Sequence, residues 1–356
     1  MTDDNLFVSL TILNTDAVVL LQIAPRCLSK HDRDTRVNIQ ISWFAMLKKY
    51  VLCRPDAGLN DILCQIETAY QYAKQTGRIT VIDTGYKYST YFHDDFSNYF
   101  SSLDDNLVLN PYFLQNSLES MATVPSVLQG RLNSYTPQWS QAHGNYVDLE
   151  TGTPISFDLT RHYDQDILVR HTCGGNDLSI LALGKLVLRE SITEALAQRI
   201  NAIGRPFGAL HIRNTDYQTD YHHVVDQMVG SILFPVFIAT DSLRCRQHCE
   251  NVFGRHNVIY FSDLPGEELP IHYGSAFRSP FVQNSEAILD LLTLALSSEY
   301  YKIPIKSDDG IEKYSGFSNL AENLIRNSNI LISLLGKTDS AVSIVEKVTT
   351  WQSRNH

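Results

Sequence analysis

Short apolar runs that end in polar residues alternate with longer segments of helical periodicity over most of the chain. Near residue 50, the apolar stretch "YVLC" predicts a strand over residues 50–53, and turn residues follow at 55–58. Residues 62–74 carry apolar side chains at helical spacing, namely Ile62, Ile66, Ala69, Tyr70 and Ala73. Gly77 is typical of the residue after a helix, and "ITVID" then predicts the next strand. This order of strand, helix and strand predicts a parallel sheet, which binds ligands at the carboxyl ends of its strands.

A second alternation of strands and helices occupies residues 205–350. The stretches "RPFGALHIR", "SILFPVFIATDS" and "NVIYFSD" predict three strands, and "LRCRQHCENVFG" predicts a helix that ends at Gly254. "SEAILDLLTLALSSE" predicts a further helix with Ser285 as its N-cap. We therefore predict an α/β protein with two Rossmann-like domains, over residues 46–200 and 205–350, which face a cleft in a GT-B-like architecture.

The remaining segments have weaker patterns. Residues 90–175 are rich in Tyr, Ser, Asn and Phe and suit loops and short elements, whereas residues 180–203 predict one long helix. Residues 1–45 contain two β-like runs, "LFVSLTIL" and "AVVLLQI", and we interpret them as an N-terminal extension that could form a β-hairpin. Because Met46 is a plausible start for the first unit of strand, helix and strand, we expect residues 1–45 to be dispensable.

Composition and charge narrow the class of protein. The 356 residues exceed what one hydrophobic core usually holds, and 44% hydrophobic with 19% charged residues is typical of a folded chain. A net charge of -10 disfavours nucleic acid or a membrane surface as the main partner, because clustered Lys and Arg drive such binding. Asn14 and Asp16 interrupt the most apolar run, residues 6–24, and the N-terminus lacks a basic region. We therefore expect neither a membrane span nor a signal peptide.

The six cysteines lack the dense, even spacing of a secreted disulfide framework, which favours a reducing cytoplasm. Cys245, His248 and Cys249 in "CRQHC" supply three ligands at most, whereas structural zinc needs four, so we interpret the two cysteines as neighbours on a helix. The chain also lacks a P-loop lysine and the three-glycine dinucleotide pattern. The sequence thus predicts no metal site and argues against ATP or NAD as a ligand.

Candidate chemistry concentrates in "FGALHIRNTDYQTD", residues 207–220, where a buried strand turns abruptly polar. His211, Arg213, Asn214 and Asp216 stand where that strand should emerge at the ligand edge of the sheet. Arg213 could bind phosphate oxygens bidentately there, and a salt bridge to Asp216 that ties down a turn is the alternative. Asp241 in "TDS" ends the next strand in the same way, which indicates one site shared by the two strand ends.

Three further features are candidates, and the first two of them carry two interpretations each. Asp290 interrupts the apolar helix "AILDLLTLAL", either on its solvent face or as an acceptor for the paired N–H donors of a guanine edge. Ser315, Gly316 and Ser318 precede a helix whose N-terminal amides could hold a phosphate or simply receive an ordinary N-cap. "DAGLND", residues 56–61, is a glycine turn before a helix and by itself a weak indication of a ligand site.

Several of these motifs, in their order and spacing, resemble a known family. The run "RPDAGLNDILCQIETAYQYAKQTGRITVID", with "HIRNTD", "FIATDS", "AILDLLTLALS" and "SGFSNLA", is similar to the GDP-fucose fucosyltransferases of the α1,6 and nodulation type and to their O-fucosyltransferase relatives. The resemblance implies a GT-B fold, GDP-β-L-fucose as donor substrate, inversion to an α-fucoside, and no metal or other cofactor. It also implies a glycan or polysaccharide acceptor, and a lipid-linked acceptor would add a peripheral membrane contact to a cytoplasmic protein.

The same resemblance implies roles for individual residues. Arg213 would bind the donor β-phosphate and assist departure of GDP, and His211 and Asp290 would contact the guanosine part. The other residues implied at the donor site are Asn214, Asp241, Ser315, Gly316 and Ser318. The loop formed by Gly58, Leu59, Asn60 and Asp61 would face the donor across the cleft, next to the acceptor, so residues 46–200 would be the acceptor-side domain.

Fucosyl transfer needs a base for the acceptor hydroxyl, and Asp216 and Asp220 are the nearest candidates. The chain departs from the α1,6 type, which generally has two adjacent arginines followed by Thr, Asp and Lys. Here Asn214 and Tyr217 occupy the positions of the second arginine and the lysine. Two alternatives therefore stay open, a non-catalytic protein that binds GDP-sugars or glycans, and a transferase that uses another GDP-deoxyhexose.

Overall fold

The computed structural model describes residues 9–12, 19–22, 48–89, 91–264, 279–307 and 311–353. The chain divides into two compact units, residues 1–48 and 49–356. In the first unit, strand β1 (Ser9–Ile12) pairs antiparallel with strand β2 (Val19–Gln22). The rest of the predicted extension lies outside the described residues, and the predicted domain boundary near residue 200 stays a prediction. Within the described ranges, no helix is both long and apolar enough to cross a membrane.

The predicted unit of strand, helix and strand opens the second compact unit. Strand β3 (Tyr50–Pro55) is buried throughout, helix α1 (Leu59–Gln75) packs its apolar face against the sheet, and strand β4 (Ile79–Ile82) pairs parallel to β3. Gly77 adopts φ +66°, which a glycine tolerates better than other residues, so the chain leaves the helix here as the sequence predicts. The turn between β3 and α1 therefore lies at the carboxyl end of β3, at the edge where parallel sheets bind ligands.

The segment between residues 90 and 175 is built from short elements, as predicted, but it ends in a strand that the pattern did not reveal. The short strands are β5 (Phe100–Ser102), β6 (Leu107–Val108), β7 (Thr123–Val124), β8 (Pro137–Ser140) and β9 (Asn145–Asp148). Strand β10 (Ile167–Thr172) then enters a five-stranded parallel sheet of order β6, β4, β3, β10, β7. Arg170 and His171 interrupt its apolar run, so only its pairing with β3 on one side and β7 on the other identifies it as an inner strand.

The predicted long helix over residues 180–203 is wrong. The structure has helix α2 (Ser179–Leu183), strand β11 (Leu186–Leu188) and helix α3 (Glu190–Ile203) in its place. Strand β11 pairs antiparallel with β5, which is far away in sequence, and buries Leu186 and Leu188. Long-range strand pairing therefore overrides a local pattern that is compatible with a helix.

A four-stranded parallel sheet forms the second half of this unit, in the order β14, β13, β12, β15. Its elements are β12 (Gly208–Ile212), α4 (Tyr221–Gln227), β13 (Val236–Thr240), α5 (Leu243–Phe253), β14 (Val258–Ile259), α6 (Pro280–Ala295) and β15 (Glu299–Lys302). Helices α7 (Gly316–Arg326), α8 (Ser328–Leu335) and α9 (Asp339–Ser353) follow. The parallel sheets confirm the predicted α/β class, although β15 was not predicted.

Helix α6 begins earlier than the sequence analysis places it. Ser279 is the N-cap, its Oγ accepts a hydrogen bond from the N–H of Val282, and Pro280 occupies the first helical position. Ser285 lies inside the helix, and its buried Oγ has no hydrogen-bond partner in the described part of the chain. The prediction that Ser285 caps this helix is therefore wrong, because the helix already begins at Pro280, five residues ahead of it.

Candidate functional site

One cavity of about 1080 Å³ brings together most of the residues that the sequence analysis singled out. It is lined by residues 57–62 after β3, by the carboxyl ends of β12 and β13, by one face of α6 and by the turn before α7. Both sheets thus contribute residues from the ligand edge that open parallel sheets share. Its volume lies just above the range of about 300–1,000 Å³ that is common for small-molecule sites.

Arg213 lies just beyond the end of β12 and lines this cavity. Its Nε donates to Oδ1 of Asp216 at 2.6 Å, its Nη2 donates to Oδ2 of the same carboxylate at 2.6 Å, and its Nε also lies 3.2 Å from Oδ2 of Asp241. Burial alone would lower the pKa of Arg213, but the two carboxylates outweigh it and raise that pKa. Arg213 is therefore a fixed, permanent cation at the cavity wall.

Asp241 organises the loop that follows β12. Its Oδ1 accepts from the N–H of Asn214 at 2.8 Å, and its Oδ2 accepts from the hydroxyl of Thr215 at 2.6 Å. The Asn214 side chain is turned into the loop, where its Oδ1 accepts from the N–H and the hydroxyl of Thr219. Asp220, the N-cap residue of α4, makes no capping bond and is not among the residues that line the cavity. The polar ends of β12 and β13 thus meet, but Asn214 and Asp220 do not face the cavity.

His211 connects β12 with the turn before α7. Its Nδ1 lies 2.6 Å from Oγ of Ser318, which lies 3.0 Å from Oγ of Ser315, and the ring packs against Phe317. Burial, with the nearby charge of Arg213, lowers the pKa of His211 to about 3, so the imidazole is neutral at pH 7. Ser315 also accepts from the N–H of Ser318, which confirms it as the N-cap of α7. His211, Ser315 and Gly316 line the cavity, whereas Ser318 supports them from behind.

The predicted cleft loop, residues 58–61, forms the first turn of α1 and approaches the turn before α7 closely. A Cβ atom added to Gly316 would lie 2.8 Å from Nδ2 and 3.2 Å from Cβ of Asn60, so glycine permits this approach. Gly58, Leu59, Asn60 and Asp61 all line the cavity. Burial raises the pKa of Asp61, and a hydrogen bond from Asn60 acts against that rise. The loop and the Ser315 turn therefore form adjacent parts of one site.

Asp290 lies neither on a solvent face nor alone. Its Oδ1 accepts from Nη1 of Arg199 at 2.6 Å and its Oδ2 accepts from the hydroxyl of Ser262 at 2.9 Å. Glu286, one turn earlier, accepts from Nη2 of Arg199 at 2.8 Å and also contacts Ser262. Burial raises the pKa of Asp290 to about 6, against the lowering effect of Arg199. The helix face that turns these carboxylates to the cavity excludes the solvent-face interpretation.

Sequence reasoning missed Glu286, Ser262 and Arg199. The sequence did contain a pattern that points to Glu286. Gln283, Glu286 and Asp290 follow helical spacing within an otherwise apolar helix, and all three line the cavity. No sequence pattern pointed to Arg199, because only the packing of α3 against α6 brings it to the two carboxylates.

Cys245 and Cys249 lie buried on successive turns of α5, as expected of helix neighbours. In the described part of the chain, no group of three or more His, Cys, Asp and Glu side chains is arranged to bind a metal ion.

Comparison with known proteins relates this chain to others by fold. No family model and no curated protein matches its sequence. The structure of NodZ α1,6-fucosyltransferase co-crystallized with GDP aligns with 78% of this chain and 93% of its own, with 17% identity and a TM-score of 0.52. The fucosyltransferase NodZ from Bradyrhizobium aligns over the same shares, with 17% identity and a TM-score of 0.53. POFUT1 in complex with GDP has a TM-score of 0.48 at 12% identity, over 81% of this chain and 96% of its own.

The α/β architecture with parallel sheets is thus shared with NodZ. At the level of the fold, the resemblance that the sequence motifs indicate is confirmed.

Proposed function

We propose that this protein is a glycosyltransferase that moves L-fucose from GDP-β-L-fucose to a hydroxyl group of a glycan or polysaccharide, with inversion and without a metal ion. The observation that carries the proposal is that Arg213 and the turn before α7 line one cavity in a chain with the fold of NodZ. Solved structures of NodZ contain GDP or were soaked with GDP-fucose. We assign the donor to the edge of the second sheet and the acceptor to the side of residues 58–61.

In this proposal, Arg213 stabilises the charge that grows on the leaving diphosphate. Asp216 and Asp241 hold its Nε edge, whereas its Nη1 amino group has no hydrogen-bond partner among the described residues. That group can donate to a phosphate oxygen without release of either carboxylate, and a donor held in place before the reaction is worth more than one that must reorganise. The first N–H groups of α7 add further donors at the positive end of its dipole.

His211 contributes as a neutral hydrogen-bonding side chain. With Nδ1 committed to Ser318, the opposite ring nitrogen, Nε2, is the one offered to the donor nucleotide. A protonated imidazole would add a charge that the pKa of about 3 excludes at neutral pH. We therefore assign His211 to donor binding, and not to proton transfer.

The GT-B architecture follows from the same proposal. The turn after β3 in the first sheet and the carboxyl ends of β12 and β13 in the second sheet both line the cavity, together with α6 and the turn before α7. A donor on the second sheet and an acceptor on the first would place the attacking hydroxyl opposite the leaving diphosphate. That geometry is the one an inverting displacement requires.

The test is release of GDP from GDP-fucose, measured for the wild type and Arg213→Ala, with and without a mixed pool of glycan acceptors. We expect acceptor-dependent release that survives EDTA and falls by about 10²–10³-fold in the variant. Arg326→Ala is the matched control, because Arg326 is a 69% exposed arginine that pairs with a carboxylate on the outer end of α7. Release that needs a metal ion, or that Arg213→Ala leaves intact, would contradict this mechanism.

A non-catalytic protein that binds GDP-sugars is the second candidate. It is favoured by one observation, since Asn214 stands where the α1,6 type has a second arginine and its side chain is bonded within the loop to Thr219. If the protein is non-catalytic, it should bind GDP-fucose but release no GDP, whichever acceptor is added. Competition between GDP-fucose and other GDP-deoxyhexoses for binding then decides which donor sugar the site prefers.

A further inference from the structure

Behind the cavity wall formed by α6 lies a buried arginine that contacts both carboxylates of that wall. Arg199 of α3 donates from Nη1 to Asp290 at 2.6 Å and from Nη2 to Glu286 at 2.8 Å. The Arg199 side chain is 7% exposed and does not line the cavity, whereas Asp290 and Glu286 are 15% and 27% exposed and do. The cation therefore touches the site only through these two carboxylates.

We propose that Arg199 is a positioning residue, which holds the Asp290 carboxylate in the orientation that reads the paired N–H donors of a guanine base and so sets the nucleobase specificity of the site. This inference rests on the proposed function, which places a GDP-sugar in the cavity. It goes further, because it assigns the selectivity for guanine to a residue that does not contact the ligand.

The hydrogen-bond inventory supports this role. Each carboxylate oxygen has two acceptor sites, and Asp290 uses one of Oδ1 for Arg199 and one of Oδ2 for Ser262, so both oxygens keep a site for a ligand. Arg199 gives one N–H to Asp290 and another to Glu286, and the Ser262 hydroxyl holds the second oxygen of Asp290, so both oxygens of that carboxylate are held. The rigid spacing of the two guanidinium N–H groups suits two carboxylates at once, which a lysine ammonium matches less well. Asp290 is therefore oriented before any ligand arrives.

Charge points to the same ligand chemistry. One guanidinium faces two carboxylates, and the single hydroxyl proton of Ser262 can serve only one of them at a time, although its Oγ lies 2.6 Å from Glu286 and 2.9 Å from Asp290. An excess of negative charge and acceptor sites thus faces the cavity. Such a wall suits a base edge with adjacent N–H donors and disfavours an edge that presents an acceptor.

A purely structural role is the alternative, in which Arg199 only ties α3 to α6. Loss of the arginine would then lower stability, or weaken binding of all nucleotides alike, without a change in selectivity. The ratio of the affinities for GDP and for inosine diphosphate separates the positioning role from the purely structural one. GDP and inosine diphosphate differ only in the exocyclic amino group, one of the two donors that Asp290 would read.

The experiment measures the dissociation constants of GDP and inosine diphosphate by calorimetry for the full chain, Arg199→Lys and Arg199→Met, with thermal unfolding as the check of folding. Arg326→Lys is the matched control, since Arg326 also bonds a carboxylate, at 2.6 Å from Glu322, but is 69% exposed. We expect the wild type and the control to bind GDP at least about tenfold more tightly than inosine diphosphate. In both Arg199 variants that preference should fall to about threefold or less, mainly through loss of GDP affinity.

Asp290→Asn keeps the inference falsifiable if Arg199→Met does not fold. If Asp290→Asn loses the preference for GDP and folded Arg199→Lys keeps it, the inference is overturned while the proposed function stands. A wild type that binds GDP and inosine diphosphate equally well also overturns the inference alone. A wild type that binds neither nucleotide overturns the proposed function and this inference together.

Discussion

The guanidinium of Arg213 is bonded along one edge to the carboxylate of Asp216, with both N···O distances at 2.6 Å. The salt bridge that the sequence offered as an alternative to phosphate binding is therefore formed. It does not exclude phosphate binding, because it occupies Nε and Nη2 and leaves Nη1, which has no partner among the described residues. One carboxylate thus orients the cation while another face of the cation stays available at the cavity.

This geometry predicts how an Asp216→Asn variant will behave. Both oxygens of the Asp216 carboxylate are bonded to the guanidinium, so we expect Asp216 to act by orienting Arg213. Transfer to an acceptor and hydrolysis of GDP-fucose by water should then fall together, by about 10²-fold if Arg213 shifts by about 1 Å. Parallel assays of fucosylated product and free fucose measure the two rates. A fall in transfer with hydrolysis preserved would instead identify Asp216 as the base for the acceptor.

Binding of GDP should weaken in acid because of Asp290. Its pKa of about 6 means that the carboxyl group is mostly ionised at pH 7 and mostly protonated at pH 5. Only the ionised form offers all its acceptors to guanine, so the apparent affinity should fall about tenfold between these pH values, in proportion to the ionised fraction. Calorimetric titration with GDP at each pH measures the effect.

The terminal phosphate of GDP titrates near pH 6 as well, so a control is needed. The Asp290→Asn variant keeps the phosphate titration and removes that of the carboxyl group. Its affinity should be lower at pH 7 and should change less between pH 7 and pH 5. If the affinity for GDP falls equally in the variant and the wild type between pH 7 and pH 5, the whole fall comes from the phosphate and other groups, and not from Asp290.

A second buried ion pair, outside the cavity, should control stability. Arg54 at the end of β3 bonds Asp83 at 2.7 Å, and the two side chains are only 3% and 7% exposed. Its guanidinium also lies 3.7 Å from the centre of the Tyr86 ring. Arg54→Met should cost about 3–5 kcal/mol in the free energy of unfolding, because it leaves the Asp83 carboxylate buried and unpaired.

Urea unfolding of the single variant and of Arg54→Met with Asp83→Leu tests this explanation. The double variant should recover much of the lost stability, since apolar side chains can replace a buried ion pair at little cost. If the double variant is less stable than Arg54→Met alone, the unpaired carboxylate is not the cause of the loss.

A chain that begins at Met46 should keep GDP binding and turnover. The described residues that line the cavity all belong to the compact unit of residues 49–356, so we expect that unit to bind the donor by itself. Calorimetry with GDP and the GDP-release assay, run on the shortened and the full chain, should agree within about threefold, a difference of less than 1 kcal/mol. Loss of either property with the fold intact would show that residues 1–45 have a role in function.

The sequence by itself determined the elements whose burial follows a local period. Helix α1 and its neighbours β3 and β4 have apolar spacing that any compact fold would have to bury, and Gly77 ends the helix for a reason contained in one residue. The polar ends of β12 and β13 were visible for a related reason. Ligands bind at the carboxyl ends of the strands in a parallel sheet, so the sequence predicts that Arg213 and Asp241 lie at one shared site.

Only the tertiary structure decided features that depend on a partner remote in sequence. Strand β10 is an inner strand because β3 and β7 pair with it on its two sides, and residues 186–188 form a strand because β5 pairs with them. Arg199 reached the site through the packing of α3 on α6, and the orientation of Arg213 was set by which carboxylates lay beside it. Local periodicity records which face of an element is buried, but it carries no information about what that face will meet.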